Sequence, residues 1–430
     1  MRIHRRLALF ALYAMIAGLL AACGGKSSST NTPANVRLVN ATASAPLTLD
    51  ANGVSYIGST SAATVSNYVN IEGGTYTIGV LAADGSLTSF NAQSASYGAG
   101  DYYTTVAYQR NGAIQAVTLA DSVAAPNTGF ITFRVYNASS DPGPVDVYIT
   151  APGVTLNQGV APNFQFVGGG ALSGALSLTQ GTYQIVVTGY GNQSDVRLSI
   201  PAVPIANPNI VTLVLTSTTG GALVDGVLVD QGGYAAFYPN TNARVRLVTS
   251  IAGTGSVVAT VGSTSLSTVT LPTIAVPSYT LVNSGSQAFG VTVNGTAVAG
   301  LSTLAPAAGG DYTVLVYGTT AAPAVTVLTD VNQAVGISGN SSVRLVNAGI
   351  SGYLALTVNQ TSVASAVPIG TASSYTGVAS STAAYFALTA SPSVALTQIP
   401  NNGNVDLLSG GVYTLFELGA TTAPLLNKDR

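Results

Sequence analysis

The chain has 430 residues, which is enough for three or four domains of ordinary size. Only 7% of the residues are charged, 13 basic and 15 acidic, and this excludes the dense basic surface by which proteins bind nucleic acids. The single His and the single Cys lie within the first 23 residues. No later segment can therefore supply a Ser-His-Asp triad, a Cys-His pair or a zinc site of His and Cys ligands.

The N-terminal residues have the pattern of a secretory signal. Residues 1–6 carry three arginines, and residues 7–22 form an apolar run that is shorter than the ~20 residues of a membrane-spanning helix. The run ends in LAAC at residues 20–23, which resembles the cleavage box of a bacterial lipoprotein. That resemblance implies removal of residues 1–22 and fatty acylation of Cys23. An ordinary signal peptide is the alternative, and it is disfavoured because Cys23 is the only cysteine in the chain.

The small polar residues that follow Cys23 predict a flexible tether, so that residues 23–34 form the lipidated cysteine and its linker. Beyond the tether, short runs rich in Val, Ile, Thr and Tyr are separated by turn-forming pairs such as Asn52-Gly53, Asp84-Gly85 and Asn294-Gly295. Such pairs between β-branched runs predict hairpins and short antiparallel strands. The remaining chain is therefore expected to be all-β.

A short strand with one arginine recurs four times: VRLVN at 36–40, FRVYN at 133–137, VRLVT at 245–249 and VRLVN at 343–347. Other strand patterns follow each copy in the same order, and the last of them ends near an aspartate. We therefore predict four tandem antiparallel β-sandwich repeats, at residues 35–124, 128–233, 243–333 and 341–430. Residues 233–243 are expected to be a looser joint between two pairs of repeats.

Four segments carry a shared pattern: VRLVNA at 36–41, GTYTI at 74–78, GDYYTTVAY at 100–108 and NASSDPGPVDVY at 137–148. They resemble an uncharacterised family of bacterial envelope lipoproteins that is labelled only as a domain of unknown function. The family opens with roughly VRxxNASPDAPxVDVY, and the second repeat matches this opening best. The resemblance implies tandem immunoglobulin-like β-sandwiches and brings no known catalytic residues.

The recurring arginine has a predicted structural partner. Alternation along the strand places Val36 and Leu38 on one face and Arg37 on the other, so we expect the apolar face to cover the core and Arg37 to point outward. The aspartate of the closing strand is the expected cross-strand partner. The predicted pairs are Arg37–Asp121, Arg134–Asp230, Arg246–Asp330 and Arg344–Asp429. A row of exposed arginines that binds an anionic polymer is the alternative.

Carboxylates are the remaining candidates for a metal site or for acid–base chemistry. Asp141 and Asp146 could hold calcium, although residues 139–144 also have the composition of a tight turn. No pair of acids stands out as the machinery of a glycosidase. We expect no catalytic residue, no metal and no other cofactor.

Four tyrosines cluster in one segment, namely Tyr97, Tyr102, Tyr103 and Tyr108. Sugar rings stacked on them would make a glycan site, whereas a structural role would bury each ring and bond its hydroxyl to the backbone. Tyrosine also recurs at repeat positions, and this favours the structural role. These residues are Tyr76, Tyr183, Tyr312 and Tyr413.

The sequence predicts a non-enzymatic lipoprotein of the outer membrane, held there by lipid on Cys23. Gly24 follows the cysteine, where an aspartate would favour retention in the inner membrane. The repeats are expected to serve binding, adhesion or structural roles at the envelope, periplasmic or surface-exposed, with a protein or glycan partner and no nucleic acid. Two alternatives remain: an outer-membrane β-barrel pore and, less favoured, a carboxylate-dependent enzyme that acts on glycans.

Overall fold

The computed structural model describes residues 32–42, 45–110, 113–121, 126–157, 159–205, 210–272, 276–334, 339–349, 352–391, 394–395, 405–419 and 424–430. These residues contain forty strands, and the predicted all-β class is confirmed. No helix in the described ranges is long and apolar enough to cross a membrane. The predicted leader, Cys23 and most of the tether lie outside the described residues.

The strands form pairs of sheets in chain order, and we call the residues that build one such pair a unit. Unit 1 contains β1 (Ala34–Asn40), β2 (Leu47–Ala51), β3 (Val54–Thr60), β4 (Thr64–Val65), β5 (Val69–Ile71), β6 (Gly74–Ala82), β7 (Phe90–Tyr97), β8 (Tyr102–Arg110) and β9 (Ala113–Ala120). The predicted turn at Asn52-Gly53 joins β2 to β3, and both residues have the positive φ that this tight hairpin turn requires.

Unit 2 is the longest of the units. It contains β10 (Phe130–Asn137), β11 (Val145–Thr150), β12 (Phe164–Val167), β13 (Ala171–Leu172), β14 (Leu176–Thr179), β15 (Gly181–Gly189), β16 (Asn192–Ile205), β17 (Ile210–Ser217), β18 (Val224–Asp230) and β19 (Ala235–Tyr238).

Unit 3 contains β20 (Asn242–Ala252), β21 (Gly255–Val261), β22 (Thr264–Ser265), β23 (Val269–Leu271), β24 (Thr280–Asn283), β25 (Gln287–Val293), β26 (Thr296–Ala297), β27 (Thr303–Leu304), β28 (Asp311–Thr319) and β29 (Pro323–Asp330). Unit 4 contains β30 (Asn340–Asn347), β31 (Tyr353–Val358), β32 (Thr361–Pro368), β33 (Thr371–Ala372), β34 (Thr376–Ala379), β35 (Ser381–Ala384), β36 (Phe386–Ser391), β37 (Val394–Ala395), β38 (Val405–Leu407), β39 (Val412–Glu417) and β40 (Leu425–Lys428).

Each unit has one sheet built on its first strand, which we call the arginine sheet, and a second sheet packed against it. In unit 4, β35 and β38 form an additional two-stranded sheet. In unit 1 the arginine sheet has the order β4-β1-β8-β9, with β5 also on β1, and the second sheet has the order β3-β2-β6-β7. Buried side chains from both sheets form one hydrophobic core, such as Val36 and Leu38 against Leu47 and Val80. Units 2, 3 and 4 each have a corresponding core.

The prediction of purely antiparallel sheets is wrong at one place in each unit. The first strand of each unit pairs in parallel with a strand from late in the same unit, as β1 does with β8, β10 with β17, β20 with β28 and β30 with β39. Between these two strands in sequence, the chain forms strands of the second sheet and then returns to the arginine sheet. Such a long crossover connection permits parallel pairing.

Two further hydrophobic clusters lie between units and not within them. Interface 1/2 joins the arginine sheets of units 1 and 2 through Val39, Val106, Leu119, Val214, Val227 and Val229. Interface 3/4 joins those of units 3 and 4 through Val248, Leu315, Leu328, Val346, Ala348, Phe416 and Leu418. The arginine sheets are therefore covered on both faces.

The segment between units 2 and 3 is more ordered than a loose joint. β19 lies in this segment and adds a strand to the arginine sheet of unit 2. Asn240, which is 4% exposed, donates to the carbonyl oxygens of Arg197 and Val224, and its own backbone N–H donates to Asp225. These bonds fix the start of unit 3 to the end of unit 2. Whether each unit folds alone, as the predicted domain boundaries imply, stays a prediction.

Candidate functional site

The four repeated arginines are buried, and the expectation that they face solvent is wrong. Alternation along β1 holds, because Val36 and Leu38 enter the core of unit 1 while Val39 enters interface 1/2. Arg37 shares the face of Val39, and the neighbouring unit covers that face. The arginines are exposed by 0%, 8%, 2% and 1% for Arg37, Arg134, Arg246 and Arg344. An arginine row open to an anionic polymer is therefore excluded at these positions.

A threonine on the parallel strand accepts a hydrogen bond from each arginine. The register of the parallel pair places the threonine directly across from the arginine. The Nε–Oγ1 distances are 2.7 Å for Arg37–Thr104, 3.3 Å for Arg134–Thr212, 2.9 Å for Arg246–Thr313 and 2.9 Å for Arg344–Thr414. These threonines were not predicted from the sequence, although each one stands at the same place in its repeat.

At interface 3/4 the arginines are exchanged between units. Arg344 of unit 4 lies 2.5 Å from Asp330 of unit 3, and Arg246 of unit 3 lies 2.6 Å from Asp429 of unit 4. The predicted pair within unit 3 is also present, since Arg246 Nη2 lies 3.5 Å from Asp330. The predicted Arg344–Asp429 pair is not an ion pair among the described residues, and Asp429 instead accepts a hydrogen bond from Thr414.

Two tyrosines complete interface 3/4. The Tyr279 ring centroid lies 4.4 Å from the guanidinium carbon of Arg246, and the Tyr375 ring lies 4.7 Å from that of Arg344. The Tyr279 hydroxyl also donates to Asp330 at 2.6 Å. An aromatic face attracts a desolvated cation, so these rings partly replace the water that the arginines lose on burial.

The electrostatics of interface 3/4 favour the ionised state of its partners. Burial opposes ionisation of Asp330, but the charges of Arg344 and Arg246 hold its pKa below the usual value. Burial likewise opposes the charge of Arg344, yet Asp330 raises its pKa above the ordinary range. Removal of either partner would leave an uncompensated charge in the interior.

Interface 1/2 lacks this closed set of ion pairs. Arg37 Nη2 donates to the backbone carbonyl of Asp230, while Arg37 Nη1 is buried without a hydrogen-bond partner. The predicted Arg37–Asp121 pair is not a direct ion pair among the described residues. Thr104 accepts from Arg37 and donates to Asp121, and Tyr68 stacks on the Arg37 guanidinium and donates to Asp121 through its hydroxyl. Burial raises the pKa of Asp121, and the bond from Thr104 and the charge of Arg37 offset only part of the rise.

The predicted Arg134–Asp230 pair is wrong because of a shift of one residue in register. Thr313 lies opposite Leu328, two residues before Asp330, and in unit 2 Thr212 lies opposite Val229, two residues before Gln231. Gln231 therefore occupies the aspartate position, and its N–H donates to Ile210 as that of Asp121 does to Tyr102. A shift by one residue turns a side chain to the other face of a strand. The Asp230 carboxylate instead accepts the N–H of Tyr234.

Asp141, a candidate calcium ligand, is bound by two arginines instead. It is 0% exposed and accepts two bonds of 2.6 Å from Arg110 of unit 1 and one of 3.0 Å from Arg430 of unit 4. The N–H of Ala334, just after unit 3, donates to it at 3.1 Å. Burial opposes its ionisation, but Arg110 holds its pKa below the usual value. Asp141 thus joins segments from all four units, which the sequence did not predict.

Asp146 is also buried, at 1% exposure, and both of its oxygens accept backbone N–H groups. Within the described ranges, no cluster of three His, Cys, Asp or Glu side chains is placed to hold a metal ion.

Most of the singled-out tyrosines bond the backbone through their hydroxyls. The Tyr103, Tyr312 and Tyr413 oxygens each accept the N–H of the residue five positions earlier, at 2.9 Å. Tyr76 and Tyr183 donate to carbonyls four residues earlier, and Tyr108 donates to Ala138. Tyr97 is 3% exposed, while Tyr102 is 43% exposed and packs edge-on against Tyr68. A structural role accounts for the six tyrosines whose hydroxyls bond the backbone.

Comparison with known proteins gives one family match. No curated protein matches the chain. Residues 34–148 match the family described as domain of unknown function (DUF4397). The matched range begins at β1, covers unit 1 and ends in β11 of unit 2. A domain of unknown function is therefore found at residues 34–148, within the part of the chain where the sequence resembles an uncharacterised family.

Proposed function

We propose that the chain is a non-enzymatic lipoprotein of the bacterial envelope, in which a body of joined β-sandwiches is held at the outer membrane by lipid on Cys23. Its roles are binding, adhesion or structural support. The observation that supports this proposal is the location of the four repeated arginines. The arginines lie buried between units, where they tie the sandwiches together.

The location of the acidic groups supports a role without catalysis. Asp141, Asp330 and Asp429 are each engaged by arginines in buried contacts. A general acid or a carboxylate nucleophile must reach a substrate, and these three groups are closed off from one.

Lipid on Cys23 accounts for the anchor. Each buried methylene of an acyl chain contributes about 0.8 kcal/mol, and stable attachment needs more than one chain or a second signal. A cysteine with a diacylglyceryl group and an acylated amine meets that requirement. The tether then leaves the sandwiches free to face the periplasm or the outside.

Fractionation of cells that express Cys23→Ala tests this proposal. We expect the variant to appear in the soluble fraction and to incorporate no labelled palmitate, whereas the wild type and the tether variant Ser27→Ala stay with the membrane and incorporate label. Complete retention of Cys23→Ala on the membrane after a salt wash would contradict the anchor. Protease treatment of intact cells then distinguishes surface display from a periplasmic location.

A further inference from the structure

Unit 2 presents an exposed aromatic residue at a bulge that it shares with two other units. Opposite Asp146, the edge strand β12 places two residues, Gln165 and Phe166, where one is expected. Unit 1 has Gly58-Ser59 at the same bulge, and unit 4 has Ser365-Ala366. A bulge redirects a side chain and often lies beside a functional site. Only unit 2 uses it to present a large side chain.

Phe166 adopts a conformation that its side chain disfavours. Its φ is 55°, and it is the only aromatic residue with a positive φ in the described part of the chain. Its side chain is 57% exposed, so packing in a core does not explain this backbone. Bulky residues in the left-handed region are rare, and such strain tends to persist at ligand-binding sites.

The buried Asp146 carboxylate holds Phe166 in place. Its Oδ1 accepts the N–H of Phe166 and its Oδ2 accepts the N–H of Gly191, both at 2.9 Å. Tyr190, beside Gly191 and 51% exposed, packs its ring edge-on against Phe166 with the centroids 4.9 Å apart. One carboxylate therefore positions both exposed rings.

A groove of about 360 Å³ lies between the edges of the two sheets of unit 2, and Phe166 is one of the residues that line it. Asn163, Gln165, Leu172 and Ser173 line it with Phe166, and no lining residue is charged. Among the described residues the Gln165 amide makes no hydrogen bond, and Asn163 uses only its Oδ1, which accepts the N–H of Ile149. The groove thus offers an aromatic ring and free amide groups.

We propose that this groove binds a neutral carbohydrate, with a pyranose ring stacked on Phe166 and its hydroxyls bonded by Gln165 and Asn163. The C–H face of a sugar packs on an aromatic ring, and amides pair with hydroxyls as donors and acceptors. An added peptide strand fits less well, because the bulge interrupts the free edge of β12. The inference rests on the proposed non-enzymatic binding role and narrows it to one ligand class.

Calorimetric titration of the full chain in detergent tests the site with maltohexaose, cellohexaose and chitohexaose as probes. We expect at least one to bind, Phe166→Ser to weaken it at least about tenfold, equal to about 1.4 kcal/mol, and Gln165→Ala to weaken it several-fold. Tyr353→Ser removes an aromatic residue of similar exposure, 53%, in unit 4 and is expected to leave binding unchanged.

Phe166→Gly separates binding from folding. Glycine accepts a positive φ without strain, so the thermal midpoint of this variant is expected to stay the same or rise while sugar binding is lost. A lowered midpoint with retained binding would mean that Phe166 is structural and would overturn the proposal. Failure of all three sugars to bind the wild type would overturn it as well. Neither result bears on the membrane fractionation of Cys23→Ala.

Discussion

Interfaces 1/2 and 3/4 use the same positions, but they hold different residues there. Interface 3/4 has two arginines, two aspartates and two tyrosines. Interface 1/2 has both arginines but only Asp121 and Tyr68, because unit 2 has Gln231 at the aspartate position and Ala175 at the tyrosine position. The difference shows that apolar contact can join two arginine sheets even when the buried charges are not balanced.

The two interfaces therefore differ in the ion pairs and in the pKa values of their buried aspartates. Asp330 touches two guanidinium groups and has a lowered pKa, whereas Asp121 forms no ion pair among the described residues and has a raised one. Interface 3/4 therefore depends more strongly on its charges.

The largest effect is expected from Asp330→Asn. The substitution removes the Asp330 carboxylate and leaves Arg344 and Arg246 buried beside one remaining carboxylate. The free energy of unfolding should therefore fall by about 3–5 kcal/mol. The matched variant Asp121→Asn should lose only about 1–2 kcal/mol, the cost of weakened charged hydrogen bonds. Urea unfolding followed by tyrosine fluorescence measures both. Equal losses would show that the two interfaces do not differ in their dependence on charge.

The second prediction concerns Glu417, which stands in unit 4 where unit 1 has the core residue Ala107. Burial raises its pKa to about 7, and the N–H of Gly419 offsets part of the rise. The folded state therefore binds a proton more tightly than the unfolded state, and stability falls as pH rises from about 4.5 to about 7.

Glu417→Gln removes that dependence. Between pH 5 and pH 8, the free energy of unfolding of the wild type should fall by up to about 3 kcal/mol more than that of the variant. The exposed Glu72 supplies a control, because Glu72→Gln should keep the wild-type slope. Urea unfolding at both pH values measures the slope, and parallel slopes for wild type and Glu417→Gln would refute the prediction.

A smaller gain is expected when interface 1/2 is completed. Gln231→Asp places a carboxylate at the position where Asp429 of unit 4 pairs with Arg246 across interface 3/4, and Arg37 Nη1 is buried without a hydrogen-bond partner. We expect stabilisation by about 1–2 kcal/mol, and none from the uncharged control Gln231→Asn. The thermal midpoint reports the change. A destabilised Gln231→Asp would mean that Arg37 needs no carboxylate.

The smallest effects are expected when the hydroxyl of Tyr279 or of Tyr68 is removed. Tyr279 donates to Asp330 at 2.6 Å, and Tyr68 donates to Asp121 at 3.2 Å. Tyr279→Phe should cost about 1 kcal/mol and Tyr68→Phe about half as much, because the Tyr279 bond is the shorter of the two. Urea midpoints of the two variants, each compared with the wild type, decide the order.

Local patterns predicted the strands well. Runs of β-branched residues and Asn-Gly turns gave the all-β class, and alternation in VRLVN correctly separated the core face from the face of Arg37. Alternation cannot tell what covers the second face. The burial of Arg37 and the exchange of Arg344 and Arg246 between units therefore came only from the packing of one sheet on another.

Other features were hidden for different physical reasons. Unit 2 supplies no carboxylate to Arg37 because Asp230 lies one residue away from the position that the closing aspartates occupy in the other units. The spacing of the sequence motifs does not resolve a shift of one residue. Asp141 and Arg430 are distant in sequence and meet only where the units assemble. Phe166 is distinguished by its φ and its exposure, and neither follows from the letters FQFV.

A double-mutant cycle tests the central claim, which is that Arg344 forms its ion pair with the neighbouring unit and not with the closing aspartate of its own unit. Arg344→Met is combined with Asp330→Asn, across units, and separately with Asp429→Asn, within unit 4. We expect a coupling of about 2 kcal/mol or more for Arg344 with Asp330 and less than about 0.5 kcal/mol for Arg344 with Asp429. Coupling to Asp429 that equals or exceeds coupling to Asp330 would contradict the claim.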